Sequence, residues 1–185
     1  LEQMEQRPDV MFLCNPNNPT GILTDQELLI QILKKAEHLG IFLVLDECFL
    51  DFTGQEERSL IEETKKYAHL FILKSFTKMY AMPGIRLGYG ISGCKDLLEG
   101  MERAGQCWGV SVLASAALRE QEYKEKAVAL VRKERKRMKE DLERLGLQVW
   151  DGQADYLFFR APGITDLYER LLPEGILIRR CGNYR

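Results

Sequence analysis

The chain has 185 residues, 45% of them apolar, enough for one substantial core or for one large domain with part of a second. A formal net charge of −2 gives no general electrostatic case for nucleic acid or an anionic membrane, and no apolar stretch is long enough to span a bilayer. Five cysteines without a C-x-x-C pair and two isolated histidines argue against zinc and for reduced thiols in a cytoplasmic protein.

Val10-Met11-Phe12-Leu13-Cys14 is a short apolar run closed by Asn and Pro, the pattern of a buried strand. Thr24-Asp25-Gln26-Glu27 has capping-box spacing with Thr24 at the N-cap, apolar residues follow at helical spacing to Leu39, and Gly40 is a natural stop. Residues 41–45 are apolar throughout, as in a parallel strand buried on both faces. Strand, helix and strand within about 35 residues make a right-handed βαβ crossover. A helix over 60–67 and strands over 70–73 and 87–92 complete an α/β unit whose sheet is mostly parallel, with helices on both faces.

From Ser111 the character changes. Residues 111–145 lack Pro and Gly and read as one long helix or two nearly continuous ones, with the basic stretch 132–139 as a solvated face. Strands near 147–150, 156–160 and 176–179, and a helix over 165–172, form a smaller α+β unit. The expected division is therefore 1–110 for a large domain and 111–185 for a linking helix and small domain, both incomplete. Leu1 opens the chain almost directly before a strand and Arg185 closes it just after another, so a piece of a longer protein is expected.

Ligands of open α/β sheets bind at the carboxyl ends of the strands. Three chemically distinct segments fall there: the turn Asn15-Pro16-Asn17-Asn18-Pro19-Thr20-Gly21, the carboxylate Asp46, and Ser75-Phe76-Thr77-Lys78 with Arg86 eight residues on. Each has a plain structural reading, as a tight turn, a cap or a surface cation. Together they suit pyridoxal 5′-phosphate, which offers an aldehyde, a phosphate, a phenolic oxygen and a ring nitrogen. Lys78 would condense with the aldehyde as the free amine, and Asp46 would keep the ring nitrogen protonated. Ser75, Thr77 and Arg86 would hold the phosphate, and the Asn18 carboxamide would donate to the phenolic oxygen. Ser75-x-x-Lys78 is also the nucleophile motif of penicillin-binding proteins, but its S-D-N and K-T-G companions are missing from the sequence.

The same motifs resemble the fold-type-I, aspartate-aminotransferase-like pyridoxal phosphate enzymes, in the branch holding histidinol-phosphate aminotransferase and threonine-phosphate decarboxylase. The resemblance covers essentially the whole chain. It implies that Lys78 is the cofactor-binding lysine, Asp46 the ring-nitrogen partner and Asn18 the residue facing the phenolic oxygen and substrate. Ser75 and Arg86 would bind the cofactor phosphate, and Arg179 would contact the substrate's own phosphate. It further implies a homodimeric parent acting on a phosphorylated amino acid. Phe49, where the aminotransferases usually carry tyrosine, leans toward the decarboxylase of cobalamin synthesis, as do Lys78-Met79-Tyr80-Ala81-Met82-Pro83-Gly84 and the stretches around Trp108 and Arg180-Cys181-Gly182. Cys107, Asp155 and Arg180 depart from the branch and bear on the substrate.

Three functions therefore stand: L-threonine O-3-phosphate decarboxylation to aminopropanol phosphate, amino transfer of the histidinol-phosphate type, or a non-catalytic fragment. The resemblance also implies that a preceding part, with a glycine turn for the phosphate, and a following arginine for the substrate carboxylate lie outside this sequence. The piece alone is expected to turn over nothing.

Overall fold

The computed structural model describes residues 1–106 and 121–182. The expected domain boundary after residue 110, the stretch 107–111 and the residues Asn183 and Tyr184 lie outside them. A four-stranded sheet runs in the order β1-β2-β3-β4: β1 (Val10–Cys14), β2 (Phe42–Asp46), β3 (Leu70–Ser75) and β4 (Gly88–Ser92). The first three strands are parallel and β4 runs antiparallel to β3, so the sheet is mixed with a parallel majority.

Helix α1 (Gln26–Leu39) forms because Leu29, Ile32, Leu33 and Ala36 recur on one stripe, and all four are buried. They pack on Leu43, Leu45, Leu70 and Ile72, the side chains that β2 and β3 turn to that face, and Met4 from a 3₁₀ turn (Glu2–Gln6) closes the cluster. The N-cap is Asp25, not Thr24: its Oδ1 accepts from the amides of both Glu27 and Leu28 at 3.0 Å. Gly40, at φ 70°, ends the helix with its N–H turned back to the Ala36 and Glu37 carbonyls.

The expected helix over 60–67 is a 3₁₀ turn, Ile61–Lys65. Helix α2 is the single turn Phe76–Met79 directly after β3, and α3 (Lys95–Ala104) lies on the surface with no buried residue. Helix α4 (Gln121–Arg144) runs against the 3₁₀ turn Leu50–Thr53 and against β5 (Gln148–Val149), which pairs antiparallel with β6 (Phe159–Arg160). Helix α5 (Leu167–Leu171) is continued by a 3₁₀ turn, Leu172–Glu174. The strand expected over 176–179 is not formed; Ile176 and Leu177 are 52% and 75% exposed, and no strand among the described residues offers them a ladder. No helix of the described residues is long and apolar enough to cross a membrane, and no cluster of three or more metal-binding side chains occurs among them.

Gly90 on β4 faces the tip of the buried ring of Phe71, and a Cβ there would collide with the ring's Cζ. Gly90→Ala should therefore cost about 1–3 kcal/mol through forced displacement of Phe71, read as a lower denaturant midpoint at unchanged slope.

Candidate active site

The three parallel strands end level with one another. Cys14 is opposite Asp46, Asp46 is opposite Leu73, and the ladder continues one residue further through Asn15 N–H to Asp46 C=O and Glu47 N–H to Leu73 C=O, both 2.9 Å. Parallel register thus delivers the turn after β1, the carboxylate of β2 and the Ser75–Lys78 segment of β3 to one edge of the sheet.

The turn after β1 is held from within. The Asn17 carboxamide oxygen accepts from the Thr20 hydroxyl at 2.7 Å, the Asn17 carbonyl accepts from Gly21 N–H at 2.7 Å, and the Asn17 amide donates to Ile22. Asn15 is buried completely, with its Oδ1 accepting from Thr24 N–H at 2.8 Å. Asn18 is thereby presented at the wall of a cleft of about 920 Å³, which Phe49, Tyr156, Trp150 and Arg179 also line. The structure brings Asn18 and Arg179 to one cavity, although no strand carries Arg179.

The Asp46 carboxylate is half-buried. Its Oδ1 accepts from Cys48 N–H at 2.9 Å, and Cys14 Sγ lies 4.0 Å from Oδ2. Burial first, then Asp46, pushes the Cys48 thiol up to about 12, while Lys78 pulls it partly back. The Cys14 thiol is likewise raised by burial and by Asp46. Both thiols stay protonated beside the carboxylate, and Lys78 and Asp46 act on the same thiol.

Lys78 sits on α2 with its amine exposed, 5.4 Å from the centre of the Phe49 ring, within range of a cation–π attraction. Phe49 in turn meets Tyr156 edge-on, with ring centres 5.2 Å apart. Ser75 caps α2: its Oγ accepts from Thr77 N–H at 3.3 Å and lies 2.8 Å from the Thr77 hydroxyl, so the two hydroxyls form one pair. Arg86 is not joined to them. Its backbone is left-handed at φ 52°, its side chain is exposed, and its Nη1 donates to the Pro83 carbonyl at 3.4 Å.

Sequence reasoning passed over the charges beneath the site. Glu47, next to Asp46, is fully buried; it accepts from the Ser59 hydroxyl at 2.5 Å and Leu60 N–H at 3.0 Å, and pairs with Lys74 at 3.2 Å. Lys74, next to Ser75, is 6% exposed and also meets Asp51 at 3.1 Å; Lys124 of α4 extends the network to Asp51 and Glu56. The signal was available: a lysine closing the apolar run of a central strand needs an acid at the same depth.

The aminotransferase class I and II family profile matches residues 1–185. The chain is 38% identical over 190 residues to the threonine-phosphate decarboxylase of Salmonella typhimurium, covering 100% of this chain and 52% of that protein. The crystal structure of histidinol-phosphate aminotransferase from Clostridium acetobutylicum superposes with a TM-score of 0.91 at 37% identity, covering 99% of this chain and 57% of that one. The histidinol-phosphate aminotransferase of Sinorhizobium meliloti, solved with pyridoxal 5′-phosphate, shares the fold at a TM-score of 0.84 and 23% identity, covering 97% and 51%. The chain spans about half the length of the curated relatives it matches.

Removing one partner of the buried pair leaves an uncompensated charge. Glu47→Gln should lose about 3–5 kcal/mol of stability, and the double change Glu47→Leu with Lys74→Met should recover most of it. Desolvation pulls Lys74 down, but Glu47 and Asp51 outweigh it and its pKa ends above the usual lysine value. This contribution is thus fully present below the ordinary lysine pKa of about 10.4 and is lost as pH rises through the higher folded value. Denaturant midpoints against pH should show this alkaline fall in the natural protein and a smaller one in the double variant.

Proposed function

We infer the chemistry from one premise: the chain belongs to the aminotransferase class I and II family. The function the geometry supports best is a pyridoxal phosphate site whose lysine is Lys78. The observation that carries it is the level ending of three parallel strands, which gathers Asp46, the Asn18 turn, and the Ser75–Thr77 pair with Lys78 at one sheet edge.

The donor set fits the group. Lys78 offers an amine that is exposed rather than locked in an ion pair, Asp46 a carboxylate whose Oδ2 meets only a weak thiol donor, and Ser75 and Thr77 two hydroxyls for a phosphate. When bound, the cofactor supplies an aldehyde for amines and a ring that takes up the electrons of a bond broken at the neighbouring carbon. Asp46 would hold a proton on the ring nitrogen, and Asn18 would donate to the phenolic oxygen from the cleft wall. Lys78 would hold the group at its aldehyde and supply the base that moves a proton at the substrate Cα. The Phe49 ring flanks the amine, and Arg179, which lines the same cleft as Phe49 and Tyr156, would pair with a phosphate carried by the substrate. Arg86 reaches the cofactor phosphate only by leaving the Pro83 carbonyl.

For the full-length parent the favoured reaction is decarboxylation of L-threonine O-3-phosphate to aminopropanol phosphate, as the corrinoid side arm requires. The extensive identity with a threonine-phosphate decarboxylase and the hydroxyl-free Phe49 beside Lys78 support it. Amino transfer of the histidinol-phosphate type is the second reading, favoured by the likeness to the Clostridium enzyme. The parent is proposed to be a cytoplasmic homodimer, in which residues beyond this chain complete the site.

Pyridoxal phosphate added to the chain should give an absorbance band at the blue–violet edge, fixed by borohydride as a covalent adduct on Lys78. Lys78→Ala should abolish both, and an adduct spread over other lysines would sink the assignment. In the parent, carbon dioxide release from L-threonine phosphate, against amino transfer from histidinol phosphate to 2-oxoglutarate, separates the two reactions.

A further inference from the structure

The loop between β5 and β6 lies directly on the turn after β1. Gln153 N–H donates to the Gly21 carbonyl at 2.7 Å, and Gln153 Oε1 accepts from Gln55 at 2.5 Å. The two backbones touch so closely that glycine is required on both sides. A Cβ on Gly152 would collide with the Thr20 carbonyl, and one on Gly21, whose φ is 72°, would stand 3.2 Å from Gly152 Cα. From behind, Arg135 of α4 donates to the Gln153 and Ala154 carbonyls at 2.7 and 2.9 Å, so the loop is pinned between the long helix and the turn.

Tyr156 is the far end of this clamp. Its hydroxyl donates to the Asn17 carbonyl at 2.9 Å, the oxygen that already accepts from Gly21 N–H at 2.7 Å, so both acceptor positions of that carbonyl are filled. That carbonyl belongs to the peptide plane whose nitrogen is Asn18. A planar peptide transmits the restraint: fixing the Asn17 oxygen fixes the plane from which the Asn18 side chain springs. The Tyr156 ring also meets Phe49 edge-on, and Phe49 lies against the Lys78 amine.

We propose that Tyr156 is a positioning residue of the active site: its hydroxyl orients the Asn17–Asn18 peptide and its ring orients Phe49, so that the loop between β5 and β6 sets the geometry of two site groups that follow β1 and β2. The hydroxyl remains a donor throughout the ordinary pH range, because burial first and Asp155 second raise its ionisation above the usual tyrosine value. The effect on cofactor binding rests on the pyridoxal phosphate reading above; the effect on the turn does not.

Tyr156→Phe removes the hydroxyl and keeps the ring, so the chain folds. Hydrogen–deuterium exchange of the cofactor-free chain should quicken about fivefold at the amides of residues 17–22, with residues 70–75 unchanged. Exchange that quickens equally in both segments, or in neither, overturns the proposal, since a merely stabilising contact would loosen the fold as a whole. Titration of the blue–violet band should then show pyridoxal phosphate binding weakened about fivefold in the variant. A band of unchanged affinity overturns the positioning role. If the natural chain forms no band, the cofactor reading fails while the exchange result still decides whether Tyr156 orients the turn.

Discussion

The geometry of this chain rests on a charge pair placed where charge is expensive. Glu47 and Lys74 face each other at the ends of the two central strands, almost entirely withdrawn from water. Their desolvation is offset because neither is left short of partners: Ser59, Leu60 and Asp51 take up the remaining donors and acceptors. Each member is the immediate neighbour of a site residue, Asp46 in one strand and Ser75 in the other. Because alternate side chains of a strand point to opposite faces, a lock on one face fixes what is shown on the other. The requirement that every buried charge find its complement thus aligns β2 with β3.

The strand core was legible because the relevant physics is local in the chain. Unbroken apolar runs with turn residues behind them can be buried only as central strands, and the topology of parallel sheets then brings their carboxyl ends together. The same topology puts Asp46, Lys78 and the Asn18 turn just past strand ends that are readable from the residues alone. The errors have equally local causes. Thr24 and Asp25 are both competent caps, and only the backbone path, which lets Asp25 reach two amides, decides between them. Residues 176–178 form an apolar run as a buried strand would, but a strand needs a neighbour, and none pairs with them among the described residues.

What the sequence did not reveal depends on contacts between distant segments. Glu47 and Lys74 are 27 positions apart and Asn17 and Tyr156 are 139 apart, separations at which neither periodicity nor turn chemistry carries information. Arg86 shows the converse. Its spacing from Lys78 is readable, yet its left-handed backbone and its bond to Pro83 belong to the loop's own geometry. The chain is similar to decarboxylases and aminotransferases alike, and Phe49, Tyr156 and Arg179, which line one cleft, come from segments far apart in the sequence.

Among the described residues strand β1 is an edge of the sheet, and Phe12 at its middle is 72% exposed, with Val10 beside it at 48%. A strand with one unpaired row of peptide groups and an aromatic side chain in water is a template for another strand. Handled in isolation, this polypeptide carries an adhesive rim there, opposite the antiparallel strand. A lysine in place of Phe12 would disperse it while leaving the ends of β2 and β3 untouched.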